Sequence, residues 1–203
     1  MTDFIKVYDN VLPSEECKDI IAQVEAHPAL ERGMIGNDKV DLKLKATWQI
    51  PGLYFSNNHP NDKRIADILF EPLKDYANTY RQLNFMDEWS LDVRYNIQKY
   101  DPGDAYFVSH SEFDYHLHPE RLLVWTVYLN TVTEGGGTRF DDYDRTIDAV
   151  EGRVVIFPAY FTHMHRGIVS KTQSKYIITG WCSYLSREHA QRLRPWDRVS
   201  NYT

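Results

Sequence analysis

Three short runs hold the residue types that could do chemistry: His110-Ser-Glu112, Thr162-His-Met-His165-Arg-Gly167 and Lys175-Tyr-Ile-Ile-Thr-Gly-Trp181. Imidazoles and a carboxylate drawn from distant segments suit a metal ion with open coordination positions. The lysine ten residues beyond His165 supplies a cation for a bound organic anion. Together the three runs point to non-haem Fe(II) chemistry with an oxoacid co-substrate.

The elements that must position these groups can be read from periodicity. The aromatic and β-branched setting of residues 104 to 113 predicts a short strand. Residues i and i+2 of a strand share a face, so His110 and Glu112 converge on one point. An isolated His-x-Glu is more often a solvated pair, and the second segment supplies the missing donor. Gly152 to Pro158 reads as a buried strand, Pro158-Ala-Tyr as a bend, and Thr162 to Val169 as a further strand carrying both His163 and His165. Periodicity does not separate those two histidines: one reads as a core histidine bonded to a neighbour, the other as functional.

Lys175, Ile177, Thr179 and Trp181 alternate with Tyr176, Ile178, Gly180 and Cys182 along one strand. A lysine on an inward face is costly unless an anion accompanies it, and a carboxylate of a small diacid would be such a partner. The other reading is an edge strand with its lysine in water. Leu91, Val93, Tyr95 and Ile97 give an apolar face to the strand before the first metal segment. Its opposite face, Arg94, Asn96, Gln98 and Tyr100, is either solvated or lines a cavity, and its position directly before His110 favours the cavity. Arg94, Asn96 and Gln98 are candidate substrate contacts, with a structural ion pair as the alternative for Arg94.

These residues fall into a recognisable series. Tyr100-x-x-Gly103-x-x-Tyr106, His110-x-Glu112, Tyr128-Leu-Asn130, Glu134-Gly-Gly-Gly-Thr138-Arg-Phe140, Gly152 to Pro158, His165-Arg-Gly167, and Lys175 with Gly180-Trp181 occur in this order. The series resembles the Fe(II)- and 2-oxoglutarate-dependent dioxygenases, in their prolyl 4-hydroxylase-like branch, over roughly residues 90 to 185. The resemblance implies a mainly β fold with flanking helices (α+β): a double-stranded β-helix, jelly-roll or cupin-like, with N-terminal helices packed outside. It implies His110, Glu112 and His165 as iron ligands, His165 being preferred to His163 because the His-x-Gly element and the step to Lys175 fit it. Lys175 would bind the distal carboxylate of 2-oxoglutarate, and Tyr100, Tyr128, Thr179 and Trp181 would line the co-substrate pocket. Fe(II), 2-oxoglutarate and O2 would be the cofactor and co-substrates, with ascorbate as a candidate reductant. The branch usually carries His-x-Asp, so Glu112 is a departure, and Asp114 is the next carboxylate in line. The implied reaction is decarboxylation of 2-oxoglutarate to succinate coupled to C–H hydroxylation, with peptidyl proline the first substrate and a free amino acid or other small molecule the alternative. A cupin-like metal enzyme without an oxoacid leaves Lys175 and Trp181 unexplained; a non-catalytic jelly-roll binding module leaves the triad unexplained.

The rest of the chain reads as support. Its 203 residues suit one domain: a helical and loop support over 1–88, the β-helix core over 89–185, and a C-terminal helix and tail over 186–203. Ser14 is a candidate cap for a helix whose Cys17, Ile20, Ile21 and Val24 form one stripe. Asp62 starts a second helix with Ile65, Leu69, Leu73, Tyr76 and Tyr80 inward, which Pro72 should kink or break. In similar enzymes residues 33 to 61 contribute a lid or substrate loop; Trp48, Tyr54 and Phe55 are candidate substrate contacts there, with core packing preferred. Lys39, Lys43 and Lys45 read as a solvated cluster, and Ser186 begins a short final helix. Hydrophobic residues make up 42% of the chain, too many for disorder, and no apolar run reaches the roughly 18–20 residues of a membrane span. The net charge of −6 argues against general nucleic-acid binding. Cys17 and Cys182 are too few for a disulfide framework, and with no signal-peptide pattern at Met1 the expected setting is cytoplasmic.

Overall fold

The strand β5 (Arg121–Tyr128) is buried along its whole length, so both of its faces must be covered, and this sets the layering. Leu123, Trp125 and Val127 point to one side; Val124 and Tyr128 point to the other, each set belonging to a separate apolar cluster. The structure, a computed structural model, describes residues 2–36, 39–51, 59, 61–114 and 117–185.

Before β5 come β1 (Lys6–Tyr8), α1 (Ser14–Glu25), β2 (Glu31–Arg32), β3 (Trp48–Gln49), α2 (Asp62–Thr79) and β4 (Trp89–Tyr100). After it come β6 (Thr138–Phe140), β7 (Arg145–Ile147), β8 (Val154–Pro158), β9 (His165–Gly167) and β10 (Lys175–Tyr184). One seven-stranded sheet has the order β1-β8-β5-β10-β4-β3-β2, and a three-stranded sheet has the order β7-β6-β9. Every pairing is antiparallel. This is a jelly-roll core: two sheets whose inner faces meet, with helices outside.

Alternation decides what each layer receives. Ile178 and Cys182 of β10 pack with α1 and α2 in the outer cluster, while Ile177 and Trp181 of β10 join Phe140 and Phe157 in the inner one. α1 contributes Cys17, Ile20 and Val24, and α2 contributes Ile65, Leu69, Leu73 and Tyr76, each at helical spacing. Gly180 is required where β10 crosses Trp125: a Cβ there would lie 2.2 Å from the indole ring.

Several expectations are corrected. Residues 104–113 form no regular strand; they hold only isolated bridges, Lys45 with Tyr106 and His110 with His165. β9 is shorter than the predicted strand, because Phe161–His163 form a 3-10 turn before it. Ser14 is the first helical residue and makes no capping bond, since Pro13 occupies the cap position. α2 runs unbroken through Pro72, which is buried on the face that packs against the core. Lys45 is buried, not solvated. Tyr54, Phe55 and the helix expected from Ser186 lie outside the described residues. Among the described residues, no helix is long and apolar enough to cross a membrane.

Candidate metal centre

His165 reaches the space between the sheets from β9, and His110 lies opposite it: the two exchange backbone hydrogen bonds of 2.9 Å in each direction. A two-residue step then carries Glu112 to the same point, its backbone N–H and that of Phe113 both donating to the Ala159 carbonyl. The convergence expected of a strand is therefore achieved by an irregular segment anchored at His165 and Ala159. Glu112 Oε1 lies 3.3 Å from His110 Nε2 and 3.7 Å from His165 Nε2. The three candidate ligand atoms lie within 4.8 Å of one another, and among the described residues this trio is the group whose spacing could hold a metal ion. Two atoms each about 2.1 Å from one ion are about 3 Å apart at a right angle, so small side-chain adjustments suffice.

Protonation also suits a cation. His110 Nδ1 is 3.0 Å from the Val108 carbonyl and His165 Nδ1 is 3.0 Å from the His163 carbonyl. A carbonyl only accepts, so both Nδ1 atoms carry the proton and both Nε2 lone pairs face inward. Burial, aided by His165, pushes the His110 imidazole below its ordinary value despite Glu112. Burial would raise the Glu112 carboxyl, but its contacts with the two imidazoles outweigh burial and hold it well below the usual carboxylate range. Two lone pairs and a carboxylate thus meet with no cation of their own between them, and this donor set fits ferrous iron.

The second oxygen of Glu112 is held from behind. Trp181 Nε1 donates to Oε2 at 3.1 Å and Arg121 Nη1 at 3.4 Å, while Arg121 also donates to the Glu112 carbonyl at 3.2 Å. The guanidinium carbon lies over the Trp181 ring, 3.6 Å from its centroid. Asp114 instead accepts from the Leu117 N–H and is not in the converging trio. His163 lies outside the trio too: its Nε2 is 2.7 Å from the Asp3 carbonyl and its Nδ1 is 2.9 Å from the Thr162 hydroxyl. It is the buried histidine bonded to its neighbours.

The trio opens into a cavity of about 600 Å³. Lys175, Thr179 and Trp181 enter it from β10, Arg94, Asn96, Gln98 and Tyr100 from β4, and Thr138 from β6. Lys175 is 5% exposed, with its ammonium 4.3 Å from the centroid of the Tyr100 ring. No carboxylate pairs with it among the described residues, and burial pulls it down to about 8. Tyr100 donates to Gln98 Oε1 at 3.1 Å; Tyr128 does not itself line the cavity but shares a 2.7 Å hydrogen bond with Thr138, which does. Trp48 makes a structural contact, its indole N–H bonded to Asp101 under the Arg32 guanidinium.

Sequence reasoning missed Arg121 and misplaced Lys45. Alternation puts Arg121 in phase with Leu123, on the helix side; a register shift opposite Cys182 and Ser183 brings it to the cavity instead. Lys45 lies in a run that is buried on both phases, with Ala46, Thr47, Gln49 and Ile50, so no alternation in the sequence marked it.

Comparison with known proteins agrees with this geometry. The sequence model of the 2OG-Fe(II) oxygenase superfamily matches residues 95–183, which include the whole trio and Lys175. The chain is 27% identical over 141 residues to a protein named probable prolyl 4-hydroxylase 10 of Arabidopsis thaliana, covering 66% of this chain and 44% of that protein. It thus spans less than half the length of that relative. The fold is similar to the viral collagen prolyl hydroxylase of Paramecium bursaria Chlorella virus-1 solved as a 2OG complex (TM-score 0.64, 17% identity, 90% of this chain and 97% of that one). It is also similar to a Trichoplax adhaerens prolyl hydroxylase solved with a hypoxia inducible factor peptide fragment (TM-score 0.69, 13% identity, 95% of this chain and 89% of that one). Residues 95–183, which hold the His-Glu-His trio, thus match the pattern of the 2OG-Fe(II) oxygenase superfamily, and the jelly-roll core is similar in fold to solved prolyl hydroxylases.

Proposed function

We propose that this chain is an Fe(II)- and 2-oxoglutarate-dependent oxygenase that couples decarboxylation of 2-oxoglutarate to succinate with hydroxylation of a C–H bond, peptidyl proline being the first substrate class. One observation carries the reading: three candidate metal donors lie within 4.8 Å of one another in the cavity that also holds a buried lysine with no carboxylate partner among the described residues. In this reading His110 and His165 hold iron through Nε2 and Glu112 through Oε1. Lys175 binds the distal carboxylate of 2-oxoglutarate, and Tyr100, Tyr128, Thr179 and Trp181 shape the pocket around it. The iron and co-substrate supply the oxidising power; the side chains bind, orient and exclude water. Residues 89–185 carry these site residues, and α1 and α2 brace the sheet from outside. Buried thiols at Cys17 and Cys182 are consistent with a reducing, cytoplasmic setting.

Anaerobic addition of Fe(II) and 2-oxoglutarate should produce a weak visible charge-transfer band. Lys175→Ala should abolish the band or greatly weaken co-substrate affinity, and an unchanged band in that variant removes Lys175 from its role. Succinate release should then be stimulated by proline-rich peptides. No stimulation by them removes proline as substrate while leaving the reaction class in place; no band at all removes the class.

A further inference from the structure

Resting on the oxygenase reading above, we propose that Lys45 is a second anion anchor in the cavity and that the prime substrate presents a carboxylate to it beside the metal. Lys45 is 9% exposed, and its ammonium lies 5.3 Å from the centroid of the Tyr106 ring. Tyr106 in turn stacks on His110, ring centroids 3.6 Å apart, so Lys45 sits one aromatic ring from a metal donor. An ammonium has three hydrogens to donate; among the described residues only the Met34 carbonyl, at 3.2 Å, receives one. Among the described residues no carboxylate forms an ion pair with Lys45.

Of the other cations lining the cavity, Arg166 pairs with Asp141, Arg121 pairs with Glu112, and Arg94 is exposed to solvent. In the oxygenase reading 2-oxoglutarate places one carboxylate at the iron and the other on Lys175. A buried ammonium without a counter-charge is unfavourable until an anion reaches it, and among the described residues Lys45 is the buried ammonium that the co-substrate leaves unmet. A carboxylate fits both its charge and its two free hydrogens. That carboxylate has two sources: the α-carboxylate of a free amino acid or chain end, or an acidic side chain next to the reacting residue of a peptide.

The test uses the Mn(II)-loaded protein with 2-oxoglutarate bound and two matched pairs of probes. N-acetyl-L-proline against N-acetyl-L-prolinamide tests a terminal carboxylate; a blocked proline peptide with a neighbouring Glu against its Gln twin tests an acidic side chain. Calorimetry should show the acid of at least one pair binding about tenfold or more tightly than its neutral twin, and the pair that discriminates names the source. Lys45→Met should erase that preference with 2-oxoglutarate affinity retained, and Lys45→Arg should keep part of it. Equal affinity within both pairs, binding by none of the four probes, or a preference that survives Lys45→Met overturns the proposal. So does loss of 2-oxoglutarate affinity in Lys45→Met, which would assign Lys45 to the co-substrate. Failure of the wild-type protein to bind 2-oxoglutarate is a separate result and removes the oxygenase reading itself.

Discussion

Glu112 has one methylene more than the aspartate usual in the prolyl 4-hydroxylase-like enzymes that the chain resembles, and therefore one more torsion to fix if Oε1 is to face the imidazoles. Trp181 and Arg121 fix it by holding Oε2. Partners that orient a ligand without touching the metal are typically worth about 10–100-fold in metal affinity. Trp181→Phe keeps a ring under the Arg121 guanidinium but deletes the donated N–H. The expected result is a loss of about tenfold or more in Co(II) affinity, measured by optical titration, with the far-UV spectrum retained. Unchanged affinity would mean that the indole only packs.

At the scale of elements, the site depends on where β10 lies. This strand pairs with β4 on one side and β5 on the other, and it carries Lys175, Thr179 and Trp181 on the cavity face. Its tight approach to Trp125 is possible only at Gly180. A methyl group there would press on Cζ2 and Cε2 of a fully buried indole. Gly180→Ala is expected to lose about 1–3 kcal/mol of stability in urea unfolding, the usual cost of overpacking a core. It should also weaken 2-oxoglutarate binding, because the displaced strand carries Trp181. A variant as stable as the parent would show that the two strands separate freely at this point.

At the scale of the whole molecule, the cavity works against stability until it is filled. Lys175 drops from its ordinary value to about 8 through burial. Between pH ~8 and ~10.5 the unfolded chain then binds more protons at this position than the folded one, so stability rises with pH across that window. Below pH ~8 both states hold the proton and the full penalty applies, roughly 3 kcal/mol. Lys175→Met should therefore be more stable than the unliganded parent near pH 7, with the difference shrinking towards pH 10 in paired urea titrations. A difference that stays constant with pH would show that Lys175 is already neutralised. The molecule thus gives up stability to hold an ammonium ready for an anion, as binding sites commonly do.

Much of this organisation was legible along the chain because β-structure is written in steps of two. The alternation in β10 and β4, the buried β8 and the apolar stripes of both helices depend on local order and marked out the layers, whereas the inward face of Lys175 was decided by the central place of β10 in the sheet. The His110, Glu112 and His165 trio was legible for a different reason: their order and spacing match a family pattern, although the strand imagined for residues 104–113 does not form. Only the tertiary structure separated His163 from His165, since a 3-10 turn between β8 and β9 breaks the phase that periodicity assumes. Only it brought Arg121 to Glu112, through a register shift that sequence does not mark. Only it buried Lys45, whose surroundings come from Met34, Tyr106 and the far side of the cavity. Side-chain direction follows from neighbours in sequence; burial and charge pairing follow from neighbours in space.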